Sequence, residues 1–386
     1  MMQMDVVYLD NNATTRPAPQ VAALMMKYLT DAYGNPSSPH RLGQESRKAI
    51  DEARSQLAGL VNCDDKELIF TGGGTEATNT AIRGLLATRA PRERIVISAV
   101  EHAATFELCR ALAKDGYEVV EIPADIEGKL DLDRLKNALN DQTALASIMW
   151  ANNETGVLFP VELIADICKQ ARVPFHCDAT QAVGKIKTDF RGSGISLATV
   201  AAHKFHGPKG IGAIYLRRGT RLTPWNIGGP QEMGRRGGTE NVPGIVGMGL
   251  AAELAREALP QMDRVSQLRD RLEREVLERI SDTQVIGRRD LRLPNTTNIG
   301  FSRLEAEAIL LLLSEKGVCA SAGAACSSGS LEPSRILQAM GVDSRLAHGA
   351  IRFSLSRYTT DAEIDRALEV LPGVISRLRA VLPVGN

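Results

Sequence analysis

The sequence has no long hydrophobic run and no excess of charge of either sign. Its longest apolar stretches, such as residues 308–313, are far shorter than the roughly 18 residues a membrane-spanning helix needs. Forty-six Lys and Arg residues balance 46 Asp and Glu residues, so no basic field predicts nucleic-acid binding. The N-terminal residues resemble neither a secretory signal nor a transit peptide. We expect a cytoplasmic globular protein that binds neither membrane nor nucleic acid.

Cysteine is also scarce, and its spacing fits neither a disulfide framework nor a metal site. There is no C-x-x-C pair, and Cys319 and Cys326 have no histidine nearby, so no metal is predicted. The thiols are expected to be reduced, which leaves each cysteine either inert or reactive. Cys63, Cys109 and Cys168 are assigned to inert packing.

The 386 residues suggest two domains, and residues 66–216 alternate short apolar runs with segments of helical period. The predicted strands are 67–71, 94–100, 117–122, 145–150, 173–177, 195–202 and 211–216. The predicted helices between them are 76–89, 105–114, 132–139 and 161–171. This βα repetition favours an α/β fold with a mainly parallel sheet covered on both faces. Only a short Gly/Pro turn precedes the last strand, which can therefore be an antiparallel neighbour.

After residue 225 the composition changes. Residues 226–249 are rich in glycine and predict turns, and residues 251–280 form a charged helical stretch interrupted at Pro260. Beyond them, strands (298–301 and 351–355) mix with helices (305–316, 333–340 and 361–382). This mixture predicts a second, smaller α+β domain.

Polar residues follow five of the predicted strands of the first domain. They are the glycine run 72–74, Glu101 with His102, the run 152–154, Asp178 with Gln181, and His203 with Lys204. In an open α/β sheet, ligands bind outside the carboxyl ends of the strands. We therefore predict that these residues meet in one crevice.

The glycine run could bind an anion with backbone N–H groups at a helix N-terminus. It lacks the Gly-Lys-[Ser/Thr] ending of a P-loop. Gly72-x-Gly74-x-x-Ala77 loosely fits a dinucleotide fingerprint, with Glu101 as a ribose partner, so a nicotinamide dehydrogenase is one alternative. A tight turn without any ligand is another.

Lys204 favours a different cofactor. A lysine directly after a buried strand has a lowered pKa and is nucleophilic enough to form a Schiff base. A pyridoxal phosphate site needs such a lysine, a carboxylate for the pyridinium nitrogen and a phosphate cradle, and Lys204, Asp178 and the glycine run supply all three. Taken singly, Lys204 could be a solvated loop residue, Asp178 a helix cap, and His102 a core or capping histidine.

Several long motifs resemble the cysteine desulfurases. They are YLDNNATT (8–15), GNPSSPH (34–40), NNETG (152–156), HKFHGPKG (203–210) and RGGTEN (236–241). Two more, GSLEPS (329–334) and RFSLSRYTT (352–360), resemble the nitrogen-fixation (NifS) branch most closely. The motifs occur in order over essentially the whole chain.

The resemblance implies a pyridoxal 5′-phosphate-dependent enzyme of transferase fold type I that acts as a homodimer. Its large domain, residues 16–255, would contain a mainly parallel seven-stranded sheet and bind the cofactor. Residues 1–15 and 256–386 would form the small domain with the catalytic-cysteine loop. The enzyme would convert L-cysteine to L-alanine and transfer the sulfur to Cys326 as a persulfide. The sulfur would then pass to an iron–sulfur scaffold or other acceptor protein for cluster assembly, with nitrogenase as one destination.

The resemblance also implies roles for single residues around the cofactor. Lys204 would carry the cofactor covalently and later act as general base. Asp178 would pair with the pyridine nitrogen, and Gln181 would hydrogen-bond the phenolic oxygen. His102 would stack on the ring and assist proton transfer.

Further residues would hold the phosphate and the substrate. Gly74, Thr75 and His203 would bind the phosphate, together with Thr239 of the other subunit. Asn153 and Arg352 would hold the substrate carboxylate.

Three positions depart from the family pattern. Ala201 stands where a serine usually contacts the phosphate, so one hydrogen bond should be absent or replaced. Ala103 replaces a proline after the stacking histidine, and Gly72 stands where serine is common. None removes a group that the reaction needs.

A selenocysteine lyase or an aminotransferase on the same fold remains an alternative, as does a non-enzymatic iron–sulfur scaffold. Cys319 is assigned no role.

Overall fold

The computed structural model describes residues 6–323 and 332–381. Numbered along the chain, the strands are β1 (Val7–Tyr8), β2 (Leu68–Thr71), β3 (Arg94–Ser98), β4 (Glu118–Ile122), β5 (Thr143–Ser147), β6 (Phe175–Asp178), β7 (Leu197–Ala201), β8 (Gly212–Leu216), β9 (Thr283–Val285), β10 (Thr296–Phe301), β11 (Val318–Cys319) and β12 (Ala350–Ser354). The helices are α1 (Pro19–Thr30), α2 (Arg41–Val61), α3 (Gly74–Leu86), α4 (Ala103–Lys114), α5 (Leu132–Ala138), α6 (Val161–Gln170), α7 (Gln231–Gly234), α8 (Val242–Ala258), α9 (Met262–Arg279), α10 (Ala306–Glu315), α11 (Arg335–Ala339), α12 (Ser344–Ala347) and α13 (Asp361–Val381).

A seven-stranded sheet has the order β2-β8-β7-β6-β5-β3-β4. The strands from β7 to β4 pair in parallel, whereas β8 is antiparallel to both β7 and β2. The predicted α/β class with a mainly parallel seven-stranded sheet is therefore confirmed, and so is the antiparallel last strand. All residues of β5, β6, β7 and β8 are buried, as expected for a sheet covered on both faces.

The predicted strand 145–150 is wrong at both ends, because β5 covers Thr143–Ser147. Its polar first residue, Thr143, hides the start of the strand from a search for apolar runs. After Ser147 the chain still donates to β6, from the Ile148 amide to the His176 carbonyl (3.1 Å) and from the Trp150 amide to the Asp178 carbonyl (2.9 Å). The Met149 amide between them donates to the Glu101 carboxylate (2.9 Å) and not to a strand. Of the apolar residues that follow β5, Met149 and Ala151 line a cavity that is described below.

The glycine-rich segment 226–249 was predicted as turns, but its last residues already belong to α8, which begins at Val242. The glycines of α8 serve close helix packing instead. A Cβ atom added at Gly249 would lie 2.5 Å from Ala53 Cα, so the two backbones of α8 and α2 approach too closely for any side chain. The packing of α8 on α2 thus overrides the low helix propensity of glycine.

A second set of elements surrounds its own apolar cluster. Strands β9, β10 and β12 form an antiparallel sheet in the order β12-β10-β9, while β1 pairs in parallel with β11. Their buried side chains pack with α9, α10 and α13 into a cluster drawn from residues 7–9, 262–280, 299–318 and 351–375. The domain boundaries at residues 15 and 255 stay a prediction.

Within residues 6–323 and 332–381, no helix is long and apolar enough to cross a membrane.

The contact between α8 and α2 yields a stability prediction. Gly249→Ala should lower the free energy of unfolding by about 1–3 kcal/mol, since a methyl group must displace Ala53. Gly373→Ala is a matched control on α13, because Gly373 is exposed and no atom lies within 4 Å of its added Cβ. That control should be neutral or gain up to about 1 kcal/mol. Urea unfolding measures both, and equal effects of the two substitutions would contradict the packing argument.

Candidate active site

The carboxyl ends of the parallel strands open into one cavity of about 800 Å³. It is lined by nine of the residues singled out in the sequence: Gly74, Thr75, His102, Asn153, Asp178, Gln181, His203, Lys204 and Arg352. The structure thus brings the polar groups at the strand ends together around one cavity, as the sequence predicts. The individual roles of these residues stay predictions.

Lys204 ends the short 3₁₀ turn Ala202–Lys204 that directly follows β7. Its partly buried ammonium donates hydrogen bonds to the backbone carbonyl oxygens of Asn12 (2.6 Å) and Ala13 (2.8 Å). The lysine is therefore held inside the cavity by the N-terminal segment and does not extend along the surface as a loop lysine would.

Asp178 is the last residue of β6 and is only 8% exposed. Its Oδ1 accepts hydrogen bonds from the Thr180 amide (3.0 Å) and, at 3.4 Å, from the Thr199 hydroxyl. Two donors on one oxygen fix the carboxylate in the cavity wall. An anchored carboxylate can stabilise a cationic ring nitrogen, and a pyridoxal phosphate site needs such a carboxylate beside its pyridine nitrogen.

His102 is the N-cap of α4, where its Nδ1 accepts from the Ala104 amide (3.1 Å). Because Nδ1 is an acceptor, the ring proton of the neutral form is on Nε2. Burial lowers the pKa of His102; nearby cations lower it further, and Asp178 opposes them. The capping role and the place in the cavity therefore exist together, and the imidazole is neutral at pH 7.

The N-terminus of α3 provides the anion-binding end of the cavity. Its N-cap is Gly73, with φ of +144°, which has no side chain to cap the helix, while the preceding Gly72 amide donates to the Glu76 carboxylate (2.8 Å). An adjoining cavity of about 370 Å³ is lined by Thr14, residues 72–76, His203, Lys209 and Gly210. Backbone N–H groups, the helix dipole and Lys209 all favour a phosphate at this place.

Ala201 is part of this end of the cavity. A Cβ added at Gly74 would lie 3.3 Å from the Ala201 Cβ, so the alanine methyl faces the start of α3. A methyl group offers no hydrogen bond to a phosphate. His203, beyond Ala201, has its pKa lowered to about 4 by burial and by the neighbouring Lys204, so it too is neutral.

Arg352 is 2% exposed on β12 and approaches the cavity from the smaller sheet. It donates to the carbonyls of Asn153 (2.9 Å) and Gly323 (2.8 Å) and pairs with Asp10 (2.8 Å). Its Nε and the Asn153 Oδ1 are buried and have no partner among the described residues. Because unsatisfied buried polar atoms cost about 1–3 kcal/mol each, they fit a ligand that supplies the missing hydrogen bonds.

Two predicted residues are not in the cavity wall as described. Thr239 is exposed on the surface of this single chain. Cys326 lies outside the described residues. Cys319 is half-buried on β11, and burial, reinforced by Asp10, raises the pKa of its thiol. Cys319 is therefore a thiol rather than a reactive thiolate at neutral pH.

Sequence reasoning did not single out Lys185, which contacts the cavity residue Gln181, whereas Glu154 belongs to the predicted run 152–154 and does line the cavity. Lys185 lies four residues after Gln181 and is 5% exposed, and that spacing from a candidate ligand was its one sequence signal. Glu154 is fully enclosed and accepts from the Ser334 hydroxyl (2.5 Å). Within the described ranges, no group of three or more His, Cys, Asp or Glu residues could hold a metal ion.

Glu101 does not have the ribose-binding role that the dinucleotide alternative required. Its Oε1 accepts from the Ser98 hydroxyl (2.5 Å) and from the Met149 amide (2.9 Å) inside the protein. The side chain is inaccessible to solvent. Its Oε2 is buried without a partner among the described residues, so the carboxyl group braces β3 against the segment after β5 through Oε1 and exposes no oxygen to a sugar.

Comparison with known proteins gives similarity over nearly the whole chain. The family model described as aminotransferase class-V matches residues 7–367. Cysteine desulfurase 2 of Trichormus variabilis is 51% identical over 383 residues, 99% of this chain and 96% of the relative. Cysteine desulfurase NifS of Azotobacter vinelandii is 47% identical over 379 residues, 98% and 94% of the two chains. A solved structure described as a NifS-like protein matches with a TM-score of 0.91 at 35% identity, covering 97% and 100% of the two chains.

The buried Glu101 gives a pH-dependent prediction. Burial raises its pKa to about 8, so the folded protein keeps the carboxyl protonated where the unfolded chain, with a pKa near 4.5, has lost the proton. Stability from this group therefore falls as pH rises from about 5 to about 8. Glu101→Gln cannot ionise, so its unfolding free energy relative to wild type should rise by about 1 kcal/mol for each pH unit in that window.

Urea unfolding at pH 5, 6, 7 and 8 measures this difference. Glu93→Gln is the control, because Glu93 is exposed, and its difference from wild type should not change with pH. A pH-independent difference for Glu101→Gln would contradict a protonated Glu101.

Proposed function

Because the chain belongs to the class-V aminotransferase family, whose members use pyridoxal phosphate, we propose that it is a cysteine desulfurase that converts L-cysteine to L-alanine. Family membership confirms the resemblance and the fold type I expected from the sequence. The observation that carries the proposal is the single cavity shared by Lys204, Asp178, the N-terminus of α3 and Arg352. A lysine, a carboxylate, an anion site and a guanidinium meet the needs of this cofactor and an amino-acid substrate.

When bound, pyridoxal phosphate supplies an electron sink that stabilises negative charge on the substrate α-carbon. Lys204 would hold it covalently, Asp178 would pair with its ring nitrogen, and Gln181 would donate to its phenolic oxygen. Gly74, Thr75 and His203 would hold the phosphate at the start of α3. The Ala201 methyl group leaves this phosphate site with one hydrogen-bond donor fewer than the family usually has.

The chain's own groups then bind the substrate and move its protons. The unsatisfied Nε of Arg352 and the side chain of Asn153 would orient the cysteine carboxylate and amino group. The Lys204 amine would take the proton from the α-carbon as general base. The neutral His102 carries its proton on Nε2, and it can donate this proton to the reacting substrate and later take a proton back.

Cys326 is the proposed sulfur acceptor. Its thiolate attacks the substrate sulfur, so a sulfur–sulfur bond forms as the carbon–sulfur bond breaks and its electron pair returns to carbon. Protonation of that carbon completes alanine, and the enzyme keeps a persulfide. Gly323 and Glu332, which flank residues 324–331, both line the cavity.

The remaining proposals concern assembly and cellular role. Two subunits would combine so that Thr239 of one reaches the phosphate site of the other, which agrees with its exposure in the single chain. The five cysteines within the described residues are free, as expected in the cytoplasm. The persulfide sulfur would pass to a scaffold protein for iron–sulfur cluster assembly, and similarity to a NifS protein favours nitrogenase as a destination.

The assay that tests this function incubates the purified holoenzyme with L-cysteine and a reductant and measures alanine and sulfide together. Cys326→Ser should lower both products by at least about 100-fold, because no thiolate remains to take the sulfur. It should keep the yellow colour of the bound cofactor. Cys319→Ser, which removes a protonated thiol from the same segment, is the matched control and should keep most of the activity.

Unchanged desulfuration by Cys326→Ser would contradict the persulfide route and favour an aminotransferase or selenocysteine lyase. Mass spectrometry of the wild-type peptide containing Cys326, after cysteine is added without reductant, should show one extra sulfur atom.

A further inference from the structure

Lys185 is a buried lysine next to the cavity, and the proposed reaction does not use it. Its Nζ donates to two neutral amide oxygens, Gln181 Oε1 (2.5 Å) and Asn12 Oδ1 (2.9 Å). The charged groups that act on it are Lys204 and Arg352, both cations; with burial as the larger cause, they lower the pKa of Lys185 well below its usual value. Burying a lysine without a carboxylate partner destabilises a fold, so its presence needs a functional reason.

The contacts of Gln181 fix the orientation of its side-chain amide. Its Nε2 donates to the backbone carbonyl of Asn12 (3.0 Å), and a carbonyl can only accept. The Oε1 atom must therefore face Lys185. With both ends assigned in this way, the second N–H of Nε2 is the donor that Gln181 has left for a ligand in the cavity.

The side chain of Asn12 is fixed by the same logic. Its Nδ2 donates to the Asn153 carbonyl (3.2 Å) and to the Thr296 hydroxyl (2.9 Å). Its Oδ1 therefore faces Lys185 and the Asn295 Nδ2 (3.1 Å). Each of the two amides is therefore held at both ends, by a backbone carbonyl at its nitrogen and by the Lys185 Nζ at its oxygen.

The network also reaches the proposed cofactor lysine. The Asn12 carbonyl that accepts from Gln181 accepts from the Lys204 Nζ as well (2.6 Å). A change at Lys185 that lets either amide rotate would therefore disturb the surroundings of Lys204 without any direct contact.

We propose that Lys185 is a positioning residue that holds the Gln181 amide with an N–H toward the cofactor's phenolic oxygen and thereby sets the acidity of the Lys204–cofactor link. It contacts neither cofactor nor substrate and acts through Gln181 and Asn12. The inference rests on the proposed function, since it assumes that the cavity holds pyridoxal phosphate.

The expected direction follows from the hydrogen bond. A donor to the phenolic oxygen stabilises its anionic form, so the proton shared between that oxygen and the lysine nitrogen is lost at lower pH. Without Lys185 the donor is no longer held in place, and the proton should be lost at higher pH. The other titratable or charged groups that line the cavity with Lys204 remain unchanged in the test, as does Lys209 of the adjoining cavity. The cavity groups are Glu101, His102, Glu107, Glu154, Asp178, His203, Glu332, Arg335 and Arg352.

The test is the pH dependence of the visible absorbance of the holoenzyme. Lys185→Met should raise the pH midpoint of the yellow chromophore by about 0.5–1 unit relative to wild type. Lys187→Met is the matched control, because Lys187 is exposed two residues farther on, and it should leave the midpoint unchanged.

Gln181→Met and the double variant separate positioning from a general structural effect. If Lys185 acts through Gln181, the midpoint of Lys185→Met/Gln181→Met should equal that of Gln181→Met alone. Additive shifts, or no shift in Lys185→Met, would overturn the proposal.

If Lys185→Met does not fold, Lys185→Gln, with a shorter donor, is measured in its place and should give a smaller shift. Failure of both to fold would assign Lys185 to the fold and also overturn it.

The result is distinguishable from failure of the proposed function. A wild-type protein that is never yellow, or that releases no alanine from cysteine, would remove the function itself. A yellow, active enzyme whose midpoint ignores Lys185 would remove only this inference.

Discussion

The site depends on the hydrogen bonds between Lys204 and the backbone carbonyls of Asn12 and Ala13. A lysine at this depth needs strong acceptors. The acceptors come from a segment almost 200 residues earlier in the chain. The position of the reactive amine is therefore set by how the N-terminal segment docks.

That segment is fastened on both sides. On one side, Ser354 of β12 accepts from the Asn11 amide (3.1 Å) through its carbonyl and from the Asn12 amide (2.9 Å) through its hydroxyl. On the other side, the Thr15 amide donates to the His203 carbonyl (2.8 Å). The N-terminal segment thus joins the smaller sheet to the end of the large one, with the cavity between them. The segment that places the Lys204 amine therefore also connects the two sheets.

The charge of the cavity explains what it can bind. Lys204, Arg335 and Arg352 line it together with Asp178 and with the buried Glu101 and Glu154. Burial raises the pKa of both glutamates, which favours their neutral forms and leaves the cations in excess around the buried part of the cavity. The ligands of the proposed reaction carry the opposite charge, since a phosphate and a carboxylate are both anions. Anionic ligands would relieve the repulsion among the cations and satisfy the buried Nε of Arg352.

The sequence predicted the seven-stranded sheet and the cavity because both follow from local patterns. Parallel buried strands are apolar runs, and polar residues at their ends must share one edge. Patterns fail where distant contacts decide the outcome. Gly249 is helical because it packs on Ala53, and Lys185 matters because Asn12, distant in sequence, completes its hydrogen bonds. Thr239, exposed on one chain, gains its proposed role only from a second copy.

The most direct test is to trap the cofactor on the lysine that carries it. Borohydride reduction of the holoenzyme makes the carbon–nitrogen bond permanent, and peptide mass spectrometry then locates the added pyridoxyl phosphate. The account predicts the modification on Lys204 and none on Lys185, although both amines donate to Asn12, Lys204 to its backbone carbonyl and Lys185 to its side-chain Oδ1. Label on Lys185, or no labelled lysine at all, would contradict it.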